Sequence, residues 1–269
     1  MLDYFFPSLH IDCARTAISI RHRSRFRRRS KIKFVMRQFD KDTTWGAMTD
    51  ALRAMLNDLP CRHALTTVTI CDAWCRLFVI MPPENAVHRR DCEAALAMRF
   101  HHLYGDAQDA WVMQADWQVD AAFLGAAMPR ALHATLVALG AHYQLRFTAI
   151  VTKAISVWNR SRQQLLKGDW FVTVCADSVT VIATDNHGLR TTFHQRLLLT
   201  ERRDSEWLAT CVNREALRQD LPLPNRIVID GDIPACWLRS SDQSLRYIFV
   251  TDPSNSMLDA TPLSGEVTA

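Results

Sequence analysis

Leu9-His10-Ile11-Asp12-Cys13-Ala14-Arg15-Thr16-Ala17-Ile18-Ser19-Ile20 reads as an extended run, a small and polar turn, and a second strand in which apolar and polar residues alternate. About 160 residues later the chain repeats the pattern: Trp170 to Val174, then Cys175-Ala176-Asp177-Ser178-Val179-Thr180-Val181-Ile182. Aligned by their cysteines, Cys13 on Cys175, the two stretches are one hairpin used twice. A duplicated hairpin at the head of each half predicts two related lobes around a cleft, a place where proteins often hold nucleotides. Neither turn contains a glycine, so neither offers the bare backbone that phosphates approach most closely.

Working outward, Leu9 to Asp12, Thr16 to Arg21 and Lys31 to Phe39 read as three strands, the last two joined by an arginine-rich turn. Thr43-Thr44 starts a helix whose apolar residues Trp45, Met48, Ala51, Leu52, Met55 and Leu56 recur at helical spacing as far as Pro60. Leu65 to Ile70 and Cys75 to Ile80 are strands; Val87 to Tyr104 is a helix that Gly105 is placed to end. Strands at Trp111 to Trp117 and Ala121 to Met128 precede a helix from Pro129, in its first turn, to Tyr143. Arg146 to Val151 is a strand and Lys153 to Leu166 a helix.

The second half then restarts with strands at Trp170 to Val174, Ser178 to Ala183 and Leu189 to Leu198, the last two joined by an Asp185-Asn186-His187-Gly188 turn. A helix from Glu201 to Leu221 and a short strand, Ile227-Val228-Ile229, lead into Asp230-Gly231-Asp232. Strand, strand, strand, helix, strand thus occurs twice, which predicts mixed sheets flanked by helices. The expected division is a first lobe at 1–165, with an inserted subdomain at roughly 40–128, a second lobe at 166–252, and a flexible tail at 253–269 where periodicity disappears.

A chain of 269 residues, 48% of them hydrophobic, can fill sizeable cores. Its eight cysteines are diluted and no signal-peptide pattern opens the sequence, so they read as reduced thiols of a cytoplasmic protein. No apolar run approaches the roughly 20 residues of a membrane helix. The formal charge of +4 is local: Arg21 to Lys33 carries eight cations and no acid, and removing them leaves −4 for the remainder. That excludes a chain covered in nucleic-acid-binding surface. The cations, with Arg23, Arg25, Arg27, Arg28, Arg29 and Lys31 at their centre, suit an anionic membrane surface, an acidic partner or a solvated hairpin tip. Phe26 is the only aromatic among them, so a stacking platform for single-stranded nucleic acid is missing and nucleic acid becomes a lesser alternative.

The order of elements, with Leu9 to Ile20, Val172 to Leu197 and Ile227 to Asp232 as its carrying residues, resembles the α/β two-lobed actin-like ATPase (ribonuclease H-like) fold. Within that fold it is most similar to PilM-type pilus assembly proteins and the cytoplasmic region of the type II secretion L protein. The resemblance implies a cytoplasmic scaffold, peripheral to the inner membrane, beneath a type IV pilus or type II secretion platform. Its implied partners are the cytoplasmic peptide of a PilN-like bitopic protein and the assembly ATPase complex. It also places the first phosphate hairpin at Asp12, a second at Val172 to Leu197, and an adenosine turn at Gly231. If nucleotide bound, Asp12, Thr16, Asp177, Ser178 and Gly231 would line the cleft, with Mg2+ between phosphate and carboxylates.

The residues themselves oppose catalysis. Cys13, Ala14 and Arg15 occupy the first turn, Cys175 stands where a strand-end carboxylate is wanted, and Asp230 and Asp232 flank Gly231 with negative charge. Asp12 reads first as a carboxylate capping its own hairpin turn, ahead of a phosphate-site or metal role. The expectation is therefore a scaffold with no catalytic residue, cofactor or metal, and the alternative is an active MgATP-binding ATPase.

Other clusters are weak. Cys71-Asp72-Ala73-Trp74-Cys75 with His63 lacks a second ligand pair for zinc. His101 and His102 are adjacent on a helix and point about 100° apart, with His88 too far away to join them. No Walker-type loop, nucleophile elbow or His-Glu-x-x-His occurs.

Overall fold

The computed structural model describes residues 7–26, 29–39, 44–175, 177–237 and 245–250. In chain order the elements are β1 (Ser8–Cys13), β2 (Ala17–Phe26), β3 (Arg29–Gln38), α1 (Trp45–Asn57), β4 (Leu65–Ile70), β5 (Arg76–Ile80), α2 (Arg89–Tyr104), β6 (Trp111–Ala115) and β7 (Phe123–Pro129). There follow α3 (Arg130–His142), β8 (Arg146–Thr152), α4 (Lys153–Ser161), β9 (Trp170–Val174), β10 (Ser178–Asp185), β11 (Gly188–Arg196), α5 (Trp207–Arg218), β12 (Ile227–Gly231) and β13 (Tyr247–Phe249). They form two five-stranded sheets, ordered β3-β2-β1-β4-β8 and β11-β10-β9-β12-β13, and a three-stranded sheet, β5-β7-β6.

The two large sheets share one plan. In each, three consecutive strands form an antiparallel meander, a fourth joins parallel to the first strand of that meander, and a fifth joins parallel to the fourth. Alternation along each strand decides what each face covers. Leu9, Ile11, Ile18, Ile20, Val68 and Ile70 point from the first sheet onto α1 and α3, which answer with Met48, Leu52, Leu132 and Leu136. In the second sheet Trp170, Val172, Val179, Val181 and Ile229 meet Leu208 and Val212 of α5, and Trp207 and Trp237 stack 5.3 Å apart. Phe78, Phe100 and Phe123 build a smaller core between the third sheet and α2. A fourth cluster joins these units: Val79 and Leu124 of the third sheet and Val157 of α4 pack on Phe171, Ile182 and Val228 of the second sheet.

Several expected boundaries change. The β4 strand, inside the expected inserted subdomain, is instead a neighbour of β1 in the first sheet, and α1 covers that sheet's core. The separate unit is the third sheet with α2, which begins at β5. Pro129 ends β7 and caps α3 from outside, so it is not in the helix's first turn. The helix expected from Glu201 is a 3-10 turn (Glu201–Arg203) followed by α5. The carboxylate of Asp204 accepts the Glu206 N–H at 3.0 Å, holding the intervening backbone in a turn. The three-residue β13 was too short to show alternation. Gly105 does end α2, in the left-handed conformation at φ 66.

The arginine-rich segment is strand rather than turn. Pairing runs unbroken from Ala17–Gln38 to Phe26–Arg29, so β2 and β3 form a two-stranded ribbon at the edge of the first sheet. Arg23 lies on this ribbon and is exposed. Arg25, Arg29 and Lys31 are placed on it by their backbone alone, and Arg27 and Arg28 lie outside the described residues, as does the segment 253–269.

Candidate functional site

The two hairpin turns meet at a seam between the large sheets. Both close alike: Ala14 N–H donates to the Ala17 carbonyl at 2.9 Å, and Cys175 N–H to the Ser178 carbonyl at 2.8 Å. This geometry corrects the alignment of the repeat by one residue. Cys13 faces Ile18 across its hairpin as Val174 faces Val179, so Cys13 corresponds to Val174, and Cys175 corresponds to Ala14. The partner of Asp12 in the second hairpin is then Thr173, not Cys175 or Asp177. A one-residue slip moves side chains to the opposite face, which is why similarity of letters misled where backbone pairing does not.

At the seam, cations of the chain itself meet the carboxylates. Lys153 Nζ, on the first residue of α4, lies 2.8 Å from Asp12 Oδ2. Arg15 Nη1, in the first turn, lies 3.3 Å from Asp177 Oδ2, in the second. Arg160 of α4 reaches the buried Asp230 at 3.0 Å. Arg202 bonds the Cys175 carbonyl at 3.1 Å and Asp232 Oδ2 at 3.0 Å, tying the second turn to the segment after β12. Burial disfavours the Lys153 ammonium, yet the adjacent Asp12 charge and hydrogen bond, with Cys175 and Asp230 adding to them, hold its pKa above the ordinary value.

Asp72 lies deepest, 2% exposed in the turn between β4 and β5. Its Oδ1 accepts the Ala154 N–H at 3.0 Å, satisfying one of the free donors of the α4 N-terminus, while Thr152 caps the same helix through Ile155 N–H at 3.3 Å. Its Oδ2 accepts the Thr180 hydroxyl at 2.8 Å, and that oxygen is 3.0 Å from His194 Nδ1. A single carboxylate therefore joins β4, α4 and β10. Burial raises its pKa, opposed by the Ala154 N–H, the Thr180 and Thr152 hydroxyls and the Lys153 charge. Three thiols face it: burial pushes Cys71 up to about 12 and raises Cys75 and Cys175 as well, and burial also raises Cys13, beside Asp12. Thiols so held are protonated at neutral pH and are poor nucleophiles.

Of the residues expected to line a nucleotide cleft, the seam collects Asp12 and Asp177. The Thr16 carbonyl accepts Phe39 N–H at 2.8 Å. Ser178 is buried, its hydroxyl without a hydrogen-bond partner among the described residues. Gly231, at φ 114, lies against the Val174 carbonyl, and a side chain there would strike that backbone. Asp72, Lys153 and Thr180 were not expected at the site. Asp72 offered a signal as an acid inside a turn bounded by apolar strands, but its partners lie 82 and 108 positions away. Among the described residues no group of three or more His, Cys, Asp or Glu side chains is arranged to hold a metal ion.

A second concavity lies away from the seam. A cavity of about 830 Å3 opens between β6–β7 and the β8–α4 segment, with the β10–β11 turn at one end. Leu124, Ile155 and Trp158 supply apolar wall, and Asp116, His133 and Asp185 bring polar groups.

No protein-family model matches the chain, and no curated protein matches it significantly in sequence. Solved structures do match. A Bacteroides thetaiotaomicron protein of actin-like ATPase fold and unknown function superposes with a TM-score of 0.61 at 9% identity, over 92% of each chain. The PilM–PilN type IV pilus biogenesis complex gives 0.60 at 12% identity, over 90% of this chain and 88% of the other. The cytoplasmic domain of EpsL, an inner-membrane component of the Vibrio cholerae type II secretion system, gives 0.53 at 8%, over 92% and 89%. The chain has the actin-like ATPase fold. Among the described residues no helix is long and apolar enough to cross a membrane.

Proposed function

We propose that this chain is a scaffold of an inner-membrane pilus or secretion assembly platform, working on the cytoplasmic side without ATP hydrolysis, and that it receives the cytoplasmic peptide of a PilN-like bitopic protein. The observation that carries the reading is the contrast between two concavities. The seam where an actin-like protein would grip phosphates is bridged by Arg15–Asp177 and Lys153–Asp12, whereas the cavity beside β7 is open and walled by apolar side chains. A nucleotide would have to break both ion pairs and approach turns that carry side chains. An apolar peptide segment would need only to displace water from a cavity within the usual range of ligand sites, roughly 300–1,000 Å3.

Two measurements test this. Synthetic cytoplasmic peptides of bitopic platform proteins are titrated against the chain and against Ala126→Trp, which places an indole in the cavity. One peptide is expected to bind, and Ala126→Trp to weaken it at least about tenfold with the fold intact; binding by none of the peptides would sink the scaffold reading. Thermal unfolding with and without millimolar MgATP tests the silent seam. A ligand present at about a hundred times its Kd would add about 2.7 kcal/mol. The expected change is none, and a clear upward shift would restore the active-ATPase alternative.

A further inference from the structure

The edge ribbon carries a feature that the peptide-binding reading does not use. Alternation along β3 puts Ile32, Phe34 and Met36 on one face, and they are 62%, 49% and 40% exposed. Directly across, in register, stand Arg23, Arg21 and Ser19 of β2, pointing to the same side. The opposite face behaves differently: Ile18 and Ile20 are buried, and Val35 packs against the first core. The outer face of the ribbon is thus a row of large apolar side chains beside a row of cations, within a segment holding eight positive charges and no acid. Each ten-residue strand spans about 33 Å, and β3 is the outermost strand of its sheet.

We propose that this face of the β2–β3 ribbon lies on an anionic lipid bilayer, with Ile32, Phe34 and Met36 entering the headgroup and acyl boundary and Arg21 and Arg23 beside them meeting lipid phosphates. The charge selects the occupant. A second copy of the chain would set eight positive charges against eight, and repulsion opposes it. Nucleic acid would satisfy the cations but leave Ile32 and Met36 without a role, and Phe34 alone makes no stacking platform. An acidic protein would need a matching apolar strip on a partner of fitted shape. A bilayer supplies dense negative charge and an apolar layer just beneath it, and it demands no shape complementarity from a ribbon. The inference stands apart from the peptide cavity, since the lone chain should bind lipid.

Co-sedimentation with vesicles of phosphatidylcholine alone, and with about 30 mol% phosphatidylglycerol, tests it on the full chain. Binding is expected only to the anionic vesicles and should be lost at about 0.5 M salt, where screening is within a few ångströms. Arg21→Gln, Arg23→Gln and Arg25→Gln together should weaken it about a hundredfold, at roughly fivefold for each cation lost. Phe34→Ser with Met36→Ser, both exposed and so without folding cost, should weaken it about tenfold. Three results would overturn the proposal: no vesicle binding, equal binding to both compositions, or full binding by the Phe34/Met36 variant. Polyglutamate and a single-stranded oligonucleotide are run alongside, and retention by either without vesicle binding would reassign the surface to an acidic protein or a nucleic acid. Since no platform peptide is present, failure here leaves the cavity reading untouched, and failure of the peptide titration leaves this one untouched.

Discussion

Replacing Gly231 with alanine is expected to destabilise the protein by about 2–6 kcal/mol, because overpacking and an unfavourable backbone conformation each cost about 1–3 kcal/mol. Gly231 ends β12 beside Val174 of β9, at φ 114. An added Cβ would fall inside the van der Waals shell of the Val174 carbonyl oxygen, 2.9 Å from its carbon and 3.1 Å from its nitrogen. These are backbone atoms of a buried strand and cannot swing aside. The same carbonyl accepts the Asp232 N–H at 2.9 Å, so a shift there would also loosen the segment that Arg202 holds. Gly188→Ala is the control: its φ is 119, but a Cβ would meet nothing within 4 Å, so only the conformational cost of about 1–3 kcal/mol remains. Chemical denaturation of the two variants separates clash from conformation. Equal losses would show that the strands are not in the contact described, and the measurement needs no nucleotide, which distinguishes a packing glycine from an adenosine-binding one.

Asp72→Ala should cost about 2–6 kcal/mol, since it leaves two buried donors, the Ala154 N–H and the Thr180 hydroxyl, without their acceptor at about 1–3 kcal/mol each. Asp72→Asn keeps an oxygen for Ala154 and should be much milder. The pair also carries a pH dependence of defined sign. Burial raises the Asp72 pKa in the folded protein above 3.8, so the native state holds this proton more tightly than the unfolded chain does. Its contribution to stability is present below the unfolded value and is lost as pH rises through the folded one. Lys153, Cys71, Cys75 and Cys175 face the same carboxylate, and His194 reaches it through Thr180; the thiols stay neutral in this range. The stability of wild type relative to Asp72→Asn should therefore fall as pH is raised from about 4 towards 7. A difference that grew with pH would mean that the hydrogen bonds and Lys153 outweigh burial.

Strands were legible where alternation met a one-sided core, as in Leu9 to Ile20; Val179 to Ala183 was legible from its apolar, β-branched residues, although both of its faces are buried, one against α5 and one in the fourth cluster. Helix ends were legible where a single residue type enforces them, as Gly105 does for α2. The split of the Glu201 segment was not, because Asp204 acts through its own side-chain bond rather than through periodicity. The candidate site was legible in half. Asp12 and Asp177 announce themselves as polar residues at hairpin ends, but nothing near them in sequence says that Lys153 and Arg15 are their partners. The ribbon was visible as charge alone; the apolar row of Ile32, Phe34 and Met36 gained meaning only when pairing put it beside Arg21 and Arg23 and left it outside the core.

Local pattern and composition by themselves determined the mixed α/β class, the duplicated hairpin and the concentration of positive charge in one segment, because periodicity, turn chemistry and charge are properties of neighbours along the chain. Tertiary structure alone decided the one-residue register of the repeat, the role of Asp72 as a link between β4, α4 and β10, the pairing of the cleft carboxylates with the chain's own cations, and the cavity beside β7. Each of those depends on backbone pairing or on side chains brought together from distant positions, where hydrogen bonds, burial and Coulomb attraction act through space and leave no periodic trace in the order of residues.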